Sequence, residues 1–583
     1  AQIIIGGLLA YAYARDQELG TAASLVVGSG YMLSGKWLLH LLPAGHSVVI
    51  GLAWLPLVLL CFERALRRRS VGWAAMAGTA CGLLLLGTHP QWTLYAGLFL
   101  IAWTLGTALE GARRWRDVAV GLFRWAGLGT LMGGIAIALA AIQFLPTLEA
   151  AQFSARHVLG VAHYDSNFTG LKSAIPAWLG LVGPSLWSHP NWENQSGIGI
   201  AWAMAAVAGA CLGFRRLWPR LLALALVFAF ALTGGLFLHD LPVLNLFRGA
   251  HRILLLTSLP LALLAGYATE FLPAAVADSR RRGILIFALI GTAAVSVAYT
   301  EFRIWLMSAE QRSIHFYWPM LALTIPALFA LTISSAKWLE RWRAPLWCAV
   351  LTVDLLALSW PFVRTHRIEY VFQPSPTLDF LISRRGDLGR VLDVHPQDSV
   401  SPFGIGAPVA LYFGLYPVRG YNPLDFHRYK KYLRILSDSN EPHAPHEIVD
   451  GFAVRNREML DLLGVRYLLQ STATLPEGDG WNIAFEDREL QVCFNYPGHG
   501  MTVLEPFTVY ENERAMPRAF VVPAAKAMPA GQERQALLAT DFHKTVLVEG
   551  CDPDAFPVGG EGGFRAAKIW SYQPNRINIS VSG

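Results

Sequence analysis

Charged residues are scarce in this chain. Only 15% of its 583 residues are charged, whereas 54% are apolar and the mean hydropathy is positive. Soluble domains carry about 25% charged residues, so the composition excludes a disordered chain, a fibre and a soluble multidomain protein. The sequence predicts a membrane protein with many spanning helices.

The motifs of soluble nucleotide and hydrolytic enzymes are missing as well. The sequence has no GxxxxGK[ST], no CxxC, no HExxH and no GxSxG on a strand-to-helix turn. Nucleotide-driven transport is therefore excluded for this chain. No ligand cluster in the sequence demands a metal, and a divalent metal is left open. Cysteines number six, and only Cys493 and Cys551 lie outside apolar runs, where an oxidising compartment would let them pair.

Apolar runs fill the first 362 residues. A spanning helix needs about 20 mostly apolar residues, and twelve runs qualify, at about 1–14, 20–35, 47–62, 71–88, 91–109, 118–145, 197–214, 219–238, 253–273, 283–300, 317–335 and 345–362. The first run is incomplete, because the chain begins inside it at Ala1. We interpret this start as a truncation.

Basic residues alternate between the connections of these runs. Every second connection is rich in them, which holds for Arg64, Arg67, Arg68 and Arg69, for Arg113, Arg114 and Arg116, for Arg215, Arg216 and Arg220, for Arg280, Arg281 and Arg282, and for Lys337, Arg341 and Arg343. By the positive-inside rule these connections are cytoplasmic. The net charge of +6 therefore indicates membrane orientation and no nucleic-acid partner.

The pattern changes after the twelfth run. Short strand-like segments at 390–394 and 519–522 alternate with helical patterns at 425–436 and 457–463. The predicted fold is a polytopic α-helical membrane protein over 1–362, with about twelve spans and a large outer loop at 146–196. An extracytoplasmic mixed α/β domain, incomplete at its C-terminus, follows over 363–583.

Polar residues gather in four segments, all on the predicted outer face. Glu149 and Asp165 are candidates for a catalytic general base, because proton abstraction needs a positioned acceptor of suitable pKa. The candidate substrate-binding residues are His46, His89, Gln91, Gln143, Arg156, His163, Tyr164, Arg248 and Arg252.

The sharpest pair among these is Arg248 and Arg252. If helical, they share one face, and arginine pairs suit bidentate phosphate recognition. Each segment also has a plainer interpretation, as a polar turn, a solvated loop or an interfacial anchor with snorkelling side chains. Because all four segments lie on the same predicted face, they favour a binding or catalytic site there.

The order of several motifs resembles the bacterial YfhO-like membrane proteins. They are Ala53-Trp54-Leu55-Pro56 before Glu63-Arg64, Gly87-Thr88-His89-Pro90-Gln91, Gln143-Phe144-Leu145-Pro146, Phe247-Arg248 with His251-Arg252, Leu264-Ala265-Gly266, Arg419-Gly420-Tyr421-Asn422-Pro423, Leu462-Leu463-Gly464-Val465-Arg466-Tyr467, Tyr510-Glu511-Asn512 leading to Met516-Pro517-Arg518-Ala519-Phe520-Val521-Val522, and Tyr572-Gln573-Pro574-Asn575-Arg576.

This resemblance implies a GT-C type glycosyltransferase, with a GT-C-like helix bundle, in the bacterial inner membrane. Its donor would be a polyprenyl-phosphate-linked sugar at the outer face, and its acceptor a cell-envelope glycopolymer or lipid. The acidic residue that such enzymes carry in the first outer loop falls before Ala1, and the family continues beyond Ser580. Two alternatives remain open, namely a transporter or flippase of lipid-linked sugars and a non-catalytic envelope scaffold.

Overall fold

The three-dimensional structure is a computed structural model. It describes residues 1–34, 38, 47–109, 114–154, 199–233, 250–306, 317–334, 336–359, 375–394, 407–418, 424, 426–438, 454–471, 476, 478–487, 491–495, 500–504, 507–529, 531–552 and 562–581. The chain divides into two compact units. The first comprises Ala1–Glu149 and Gly160–Thr365, and the second comprises Ala150–Leu159 and His366–Gly583.

The first unit is helical. Its α-helices are α1 (Gln2–Asp16), α2 (Thr21–Leu33), α3 (Leu55–Arg68), α4 (Val71–Leu86), α5 (Pro90–Ala108), α6 (Trp115–Gln152), α7 (Ile200–Thr233), α8 (Ser258–Ala277), α9 (Ser279–Leu306), α10 (Tyr317–Ile333) and α11 (Arg343–Ser359). Two longer 3-10 helices, Ser47–Trp54 and Ala250–Thr257, lead directly into α3 and α8.

Four helical stretches among the described residues are long and apolar enough to cross a membrane. They are Val49–Arg68, Trp115–Gln152, Arg252–Ala277 and Ser279–Ala298. Shorter apolar helices accompany them, for example Val71–Leu86. The figure of twelve spans stays a prediction.

Two helices differ from the sequence-based boundaries. α6 continues through Pro146 to Gln152, so the segment predicted as a loop from position 146 begins as helix. Membrane helices tolerate an internal proline when neighbouring groups satisfy the freed carbonyl. α7 runs without a break from Ile200 to Thr233, where the arginines at 215, 216 and 220 predicted a loop between two runs. The other predicted basic connections fall at helix ends, as at Arg68 and Arg280.

The second unit is a mixed α/β fold. Its helices are α12 (Pro376–Ser383), α13 (Ala407–Tyr412), α14 (His427–Ser437), α15 (Arg457–Leu462) and α16 (Glu533–Ala539). Its strands are β1 (Arg390–Val394), β2 (Tyr416–Pro417), β3 (Val465–Ser471), β4 (Trp481–Glu486), β5 (Gln491–Asn495), β6 (Gly500–Leu504), β7 (Phe507–Asn512), β8 (Phe520–Val521), β9 (Ala524–Ala527), β10 (Thr545–Val548), β11 (Arg565–Ala566), β12 (Lys568–Gln573) and β13 (Arg576–Ser580). The mixed character predicted for the tail is confirmed.

A five-stranded sheet organises this unit in the order β2-β1-β3-β7-β4. β1 pairs in parallel with β2 and β3, whereas β7 runs antiparallel to β3 and β4. Successive residues of a strand point to opposite faces, and both Val391 and Leu392 of β1 are buried in separate apolar clusters. The sheet is therefore covered on both faces. The Cys551 thiol is free in this structure and lies 3.1 Å from the Val548 carbonyl oxygen; its pairing with Cys493 in an oxidising compartment stays a prediction.

Candidate functional site

Three of the predicted substrate-binding residues come together in the helical unit. Arg252 Nη1 donates a hydrogen bond of 2.7 Å to Gln91 Oε1, across 161 positions of sequence. The Gln91 backbone amide donates in turn to His89 Nδ1 at 3.2 Å. With two neighbours on α5 these residues form what we name the Arg252 cluster, consisting of His89, Gln91, Trp92, Tyr95 and Arg252.

The turn between α4 and α5 explains why these side chains meet. α4 ends at Leu86, His89 is the N-cap residue of α5, and Pro90 follows where its missing N–H costs no hydrogen bond. Gly87 lies against Gly51 of the preceding 3-10 helix, whose amide donates to the Gly87 carbonyl at 2.8 Å. A Cβ at Gly51 would lie 2.1 Å from Thr88 Oγ1, so this approach requires glycine.

Arg252 is buried inside the helical unit. Its exposed fraction is 6%, and its Cζ lies 5.5 Å from the centre of the Trp92 ring. Gln91 is 1% exposed and donates through Nε2 to the Tyr95 hydroxyl at 3.1 Å. Arg252 belongs to the 3-10 helix Ala250–Thr257; Arg248 lies outside the described residues, so the helix face that the two arginines were predicted to share stays a prediction.

The arrangement favours an anion. A buried guanidinium keeps its positive charge and offers N–H groups in a geometry that matches phosphate oxygens. The first turn of α5 adds the positive end of a helix dipole. Because His89 Nδ1 accepts a hydrogen bond, a neutral His89 carries its proton on Nε2. Nε2 then acts as a donor.

The other described candidates lie apart from this cluster. Gln143 and Glu149 are exposed on the last turns of α6. Within the described part of the chain, the Glu149 carboxylate has no hydrogen bond or ion pair, and its role as a base stays a prediction. The remaining candidates, His46, Arg156, His163, Tyr164, Asp165 and Arg248, lie outside the described residues.

A second buried polar cluster was not predicted as a site. It surrounds the fully buried carboxylate of Glu63 on α3, and we name it the Glu63 cluster, consisting of Tyr13, Gln17, Glu63, Trp103, Thr107 and Arg220. Oε1 accepts hydrogen bonds from the Tyr13 hydroxyl at 2.9 Å and from Trp103 Nε1 and Thr107 Oγ1 at 3.2 Å.

The second oxygen of Glu63 is occupied as well. Oε2 accepts from Gln17 Nε2 at 2.8 Å and lies 3.7 Å from Arg220 Nη2. Arg220 also donates to the Tyr267 hydroxyl at 3.0 Å. The cluster therefore joins α1, α3, α5, α7 and α8 around one ion pair.

One sequence signal could have found Glu63. It lies four positions after Leu59 and three before Leu66, which are both buried on α3. Residues at this spacing occupy one helix face, so Glu63 interrupts an apolar stripe. In the sequence, however, Glu63 directly follows the apolar run 47–62 and precedes Arg64, so it resembles part of a basic connection.

No group of three or more His, Cys, Asp and Glu side chains forms a metal site among the described residues.

Together, fold and site define an apolar multi-helix protein with a buried cationic cluster and a separate α/β unit. No protein-family model and no curated protein matches the chain, and the YfhO-like resemblance stays a prediction. Two of the solved structures that are similar to this chain are of one protein. The crystal structure of ArnT from Cupriavidus metallidurans bound to undecaprenyl phosphate has 16% sequence identity to this chain and a TM-score of 0.44. The crystal structure of the same protein in the apo state has 14% sequence identity and a TM-score of 0.45. Each comparison covers 89% of this chain and 84% of the ArnT chain.

Proposed function

We propose that this chain is a membrane glycosyltransferase that uses a polyprenyl-phosphate-linked sugar at the outer face of the bacterial inner membrane. Its acceptor would be a cell-envelope glycopolymer or lipid. The observation that carries this proposal is the hydrogen bond between buried Arg252 and Gln91. It holds a guanidinium at the N-terminus of α5, where both the charge and the helix dipole attract a phosphate group.

A membrane location is supported by the surface of two helices. α6 and α9 expose large apolar side chains along their length, including Phe123 at 84%, Ile142 at 80% and Phe287 at 79%. Water disfavours such a surface, whereas lipid tails cover it without cost. The helical unit therefore suits a bilayer, and a lipid-linked donor would reach the site from within it.

In the proposed reaction a carboxylate, with Glu149 and Asp165 as candidates, takes the proton of an acceptor hydroxyl. The oxygen of that hydroxyl forms a bond to the anomeric carbon as the bond from this carbon to the donor's phosphate oxygen breaks. Negative charge grows on the departing lipid phosphate, and Arg252, with Arg248 as a predicted partner, stabilises it. His89 would orient a sugar hydroxyl, and Gln91, whose side-chain amide is bound to Arg252 and Tyr95, would position the guanidinium.

The test uses the protein in proteoliposomes with a radiolabelled polyprenyl-phosphate sugar and an envelope-polymer acceptor. Arg252→Met keeps the size and apolar stem of the side chain but removes its charge. We expect transfer to fall at least about 100-fold, as when a charge-stabilising donor is removed from an active site. Arg281→Met is the matched control, because Arg281 is an exposed arginine at the start of α9.

Each result discriminates between functions. Transfer by Arg252→Met at the wild-type rate would contradict the proposed phosphate site. Label that crosses the bilayer without being transferred would indicate a transporter. If the wild type shows no transfer and no movement of label across the bilayer, a non-catalytic scaffold is the better explanation.

A further inference from the structure

The second unit contains a cleft that the proposed reaction does not use. It lies between α15, the turn that follows β7, and the segment that follows α16, with a volume of about 590 Å³. Small-molecule sites usually measure about 300–1,000 Å³. All residues that line the cleft belong to the second unit.

The lining combines an apolar floor with an acidic rim. Met516 and Phe542 are buried, at 5% and 9% exposure, and Phe564 lies beside them in the lining. Glu458 and Glu513 are exposed to solvent. A ligand in this cleft therefore meets apolar surface on one side and hydrogen-bond acceptors on the other.

The shape of the cleft is fixed by the buried carboxylate of Asp461. Asp461 Oδ1 accepts from Arg457 Nε at 2.9 Å and from Asn512 Nδ2 at 2.8 Å. Its Oδ2 lies 3.2 Å from Arg514 Nε. Asp461 is thus occupied by the protein, and its role is to hold the arginine that follows β7 against the cleft.

The charge of the lining disfavours one class of ligand. Asp461 is paired with Arg457 and Arg514, and Asp541 with Lys544. The Lys544 ammonium and the His543 amide hold the pKa of Asp541 below its ordinary value. Glu458 and Glu513 have no ion pair among the described residues, and Arg514 is the one arginine or lysine among the described lining residues. The negative charge of these two glutamates disfavours anionic ligands.

The spacing of the carboxylates does not suit a single metal ion. Among the described residues no three acidic, His or Cys side chains converge on one point. Hydrogen-bond acceptors that lie apart from one another suit a ligand with several hydrogen-bond donors at different positions.

We propose that this cleft binds a saccharide of mono- or disaccharide size that is neutral or carries an amino group. A sugar ring offers an apolar C–H face to the Met516 and Phe542 floor, and its hydroxyls donate to the rim carboxylates. An amino group would gain further from the negative rim. The proposal does not depend on the transferase reaction, because binding is measured without a donor.

The experiment titrates the purified full chain in detergent by calorimetry with maltose, chitobiose and the glucosamine disaccharide. Glucose 6-phosphate serves as the anionic comparison. We expect at least one of the three disaccharides to bind with a Kd below about 1 mM. Glucose 6-phosphate should bind at least about tenfold more weakly.

A double substitution, Glu458→Gln with Glu513→Gln, locates the binding in this cleft. Both side chains are exposed, so the fold should persist, which the unfolding midpoint checks. Binding should weaken about tenfold or more. The control is Glu511→Gln, because Glu511 on β7 is paired with Arg466 on β3 and is not part of the lining.

Three results would overturn the proposal. They are the absence of binding by all three disaccharides up to about 10 mM, equal binding of glucose 6-phosphate, and full affinity in the double variant. The last result would assign any observed binding to another part of the chain.

Discussion

The two buried polar clusters of the helical unit lie at opposite ends of α5 and have opposite charges at their centres. Gln91 and Trp103 are 12 positions apart on this helix, which corresponds to about 18 Å along its axis. One cluster surrounds the Glu63 carboxylate, and the other contains the Arg252 guanidinium.

The difference lies in how each charge is held. Protein groups occupy both oxygens of Glu63, three on Oε1 and two on Oε2, so a ligand has no acceptor to bind there. Arg252 donates to the side-chain oxygen of Gln91, beside the N-terminus of α5. A carboxylate whose two oxygens are both occupied stabilises a fold, whereas a guanidinium beside a helix N-terminus can attract an anionic ligand.

The largest effect is expected at the saturated cluster. Glu63→Leu would leave Arg220, whose side chain is only 14% exposed, without its carboxylate. Breaking a buried ion pair on one side costs about 3–5 kcal/mol. Thermal unfolding of the purified protein should show this loss. An unfolding midpoint equal to that of the wild type would show that the pair does not hold the helices together.

A smaller loss is expected from crowding at the turn before α5. A Cβ at Gly51 would lie 2.3 Å from the Leu84 carbonyl oxygen as well as 2.1 Å from Thr88 Oγ1. Gly51→Ala should therefore cost about 1–3 kcal/mol through overpacking and should displace His89.

The control for this change is Gly97→Ala on α5. A Cβ at Gly97 meets nothing within 4 Å, and alanine favours a helix over glycine. A Gly51→Ala protein that is as stable as Gly97→Ala, with full transfer activity, would contradict the packing argument.

The hydrogen bond from Arg252 to Gln91 should matter more for transfer activity than for the stability of the fold. Gln91→Ala removes one hydrogen-bond acceptor of Arg252, and we expect transfer to fall about tenfold, chiefly through a higher KM for the donor. The unfolding free energy should fall by only about 1–2 kcal/mol. The control is Gln532→Ala, at an exposed glutamine of the second unit. Equal transfer kinetics in the two variants would contradict a role of Gln91 in positioning Arg252.

The smallest effect belongs to an exposed ion pair. Arg216 lies 3.5 Å from Glu18, whose side chain is 86% exposed. Such pairs contribute at most about 1 kcal/mol, so Glu18→Gln should leave the unfolding midpoint nearly unchanged. It also serves as the carboxylate control for Glu63→Leu. A large loss of stability in Glu18→Gln would mean that burial does not explain the difference between the Glu18 and Glu63 carboxylates.

The sequence allowed the Arg252 cluster to be predicted in part. Gly87-Thr88-His89-Pro90-Gln91 is a helix break rich in polar groups, and such residues between apolar runs stand out. Arg252 stood out because it is basic on the face where few basic residues are expected. Their direct contact could not be predicted, because it depends on how α4, α5 and the 3-10 helix Ala250–Thr257 pack.

Glu63 was missed for a related reason. A charge next to Arg64, Arg67 and Arg68 looks like part of a solvated connection, and only the partners Tyr13, Trp103 and Arg220 make its burial favourable. These partners come from distant helices. In the second unit, by contrast, β1 and α15 were predicted well, because their patterns are local.

The length of α5 between the two clusters has a consequence for insertions and deletions. A helix turns by about 100° per residue. One residue added between Tyr95 and Trp103 would therefore rotate Trp103 and Thr107 away from Glu63, even if every side chain were kept. The number of residues between the two clusters is therefore constrained more strictly than the identity of the apolar residues in that segment.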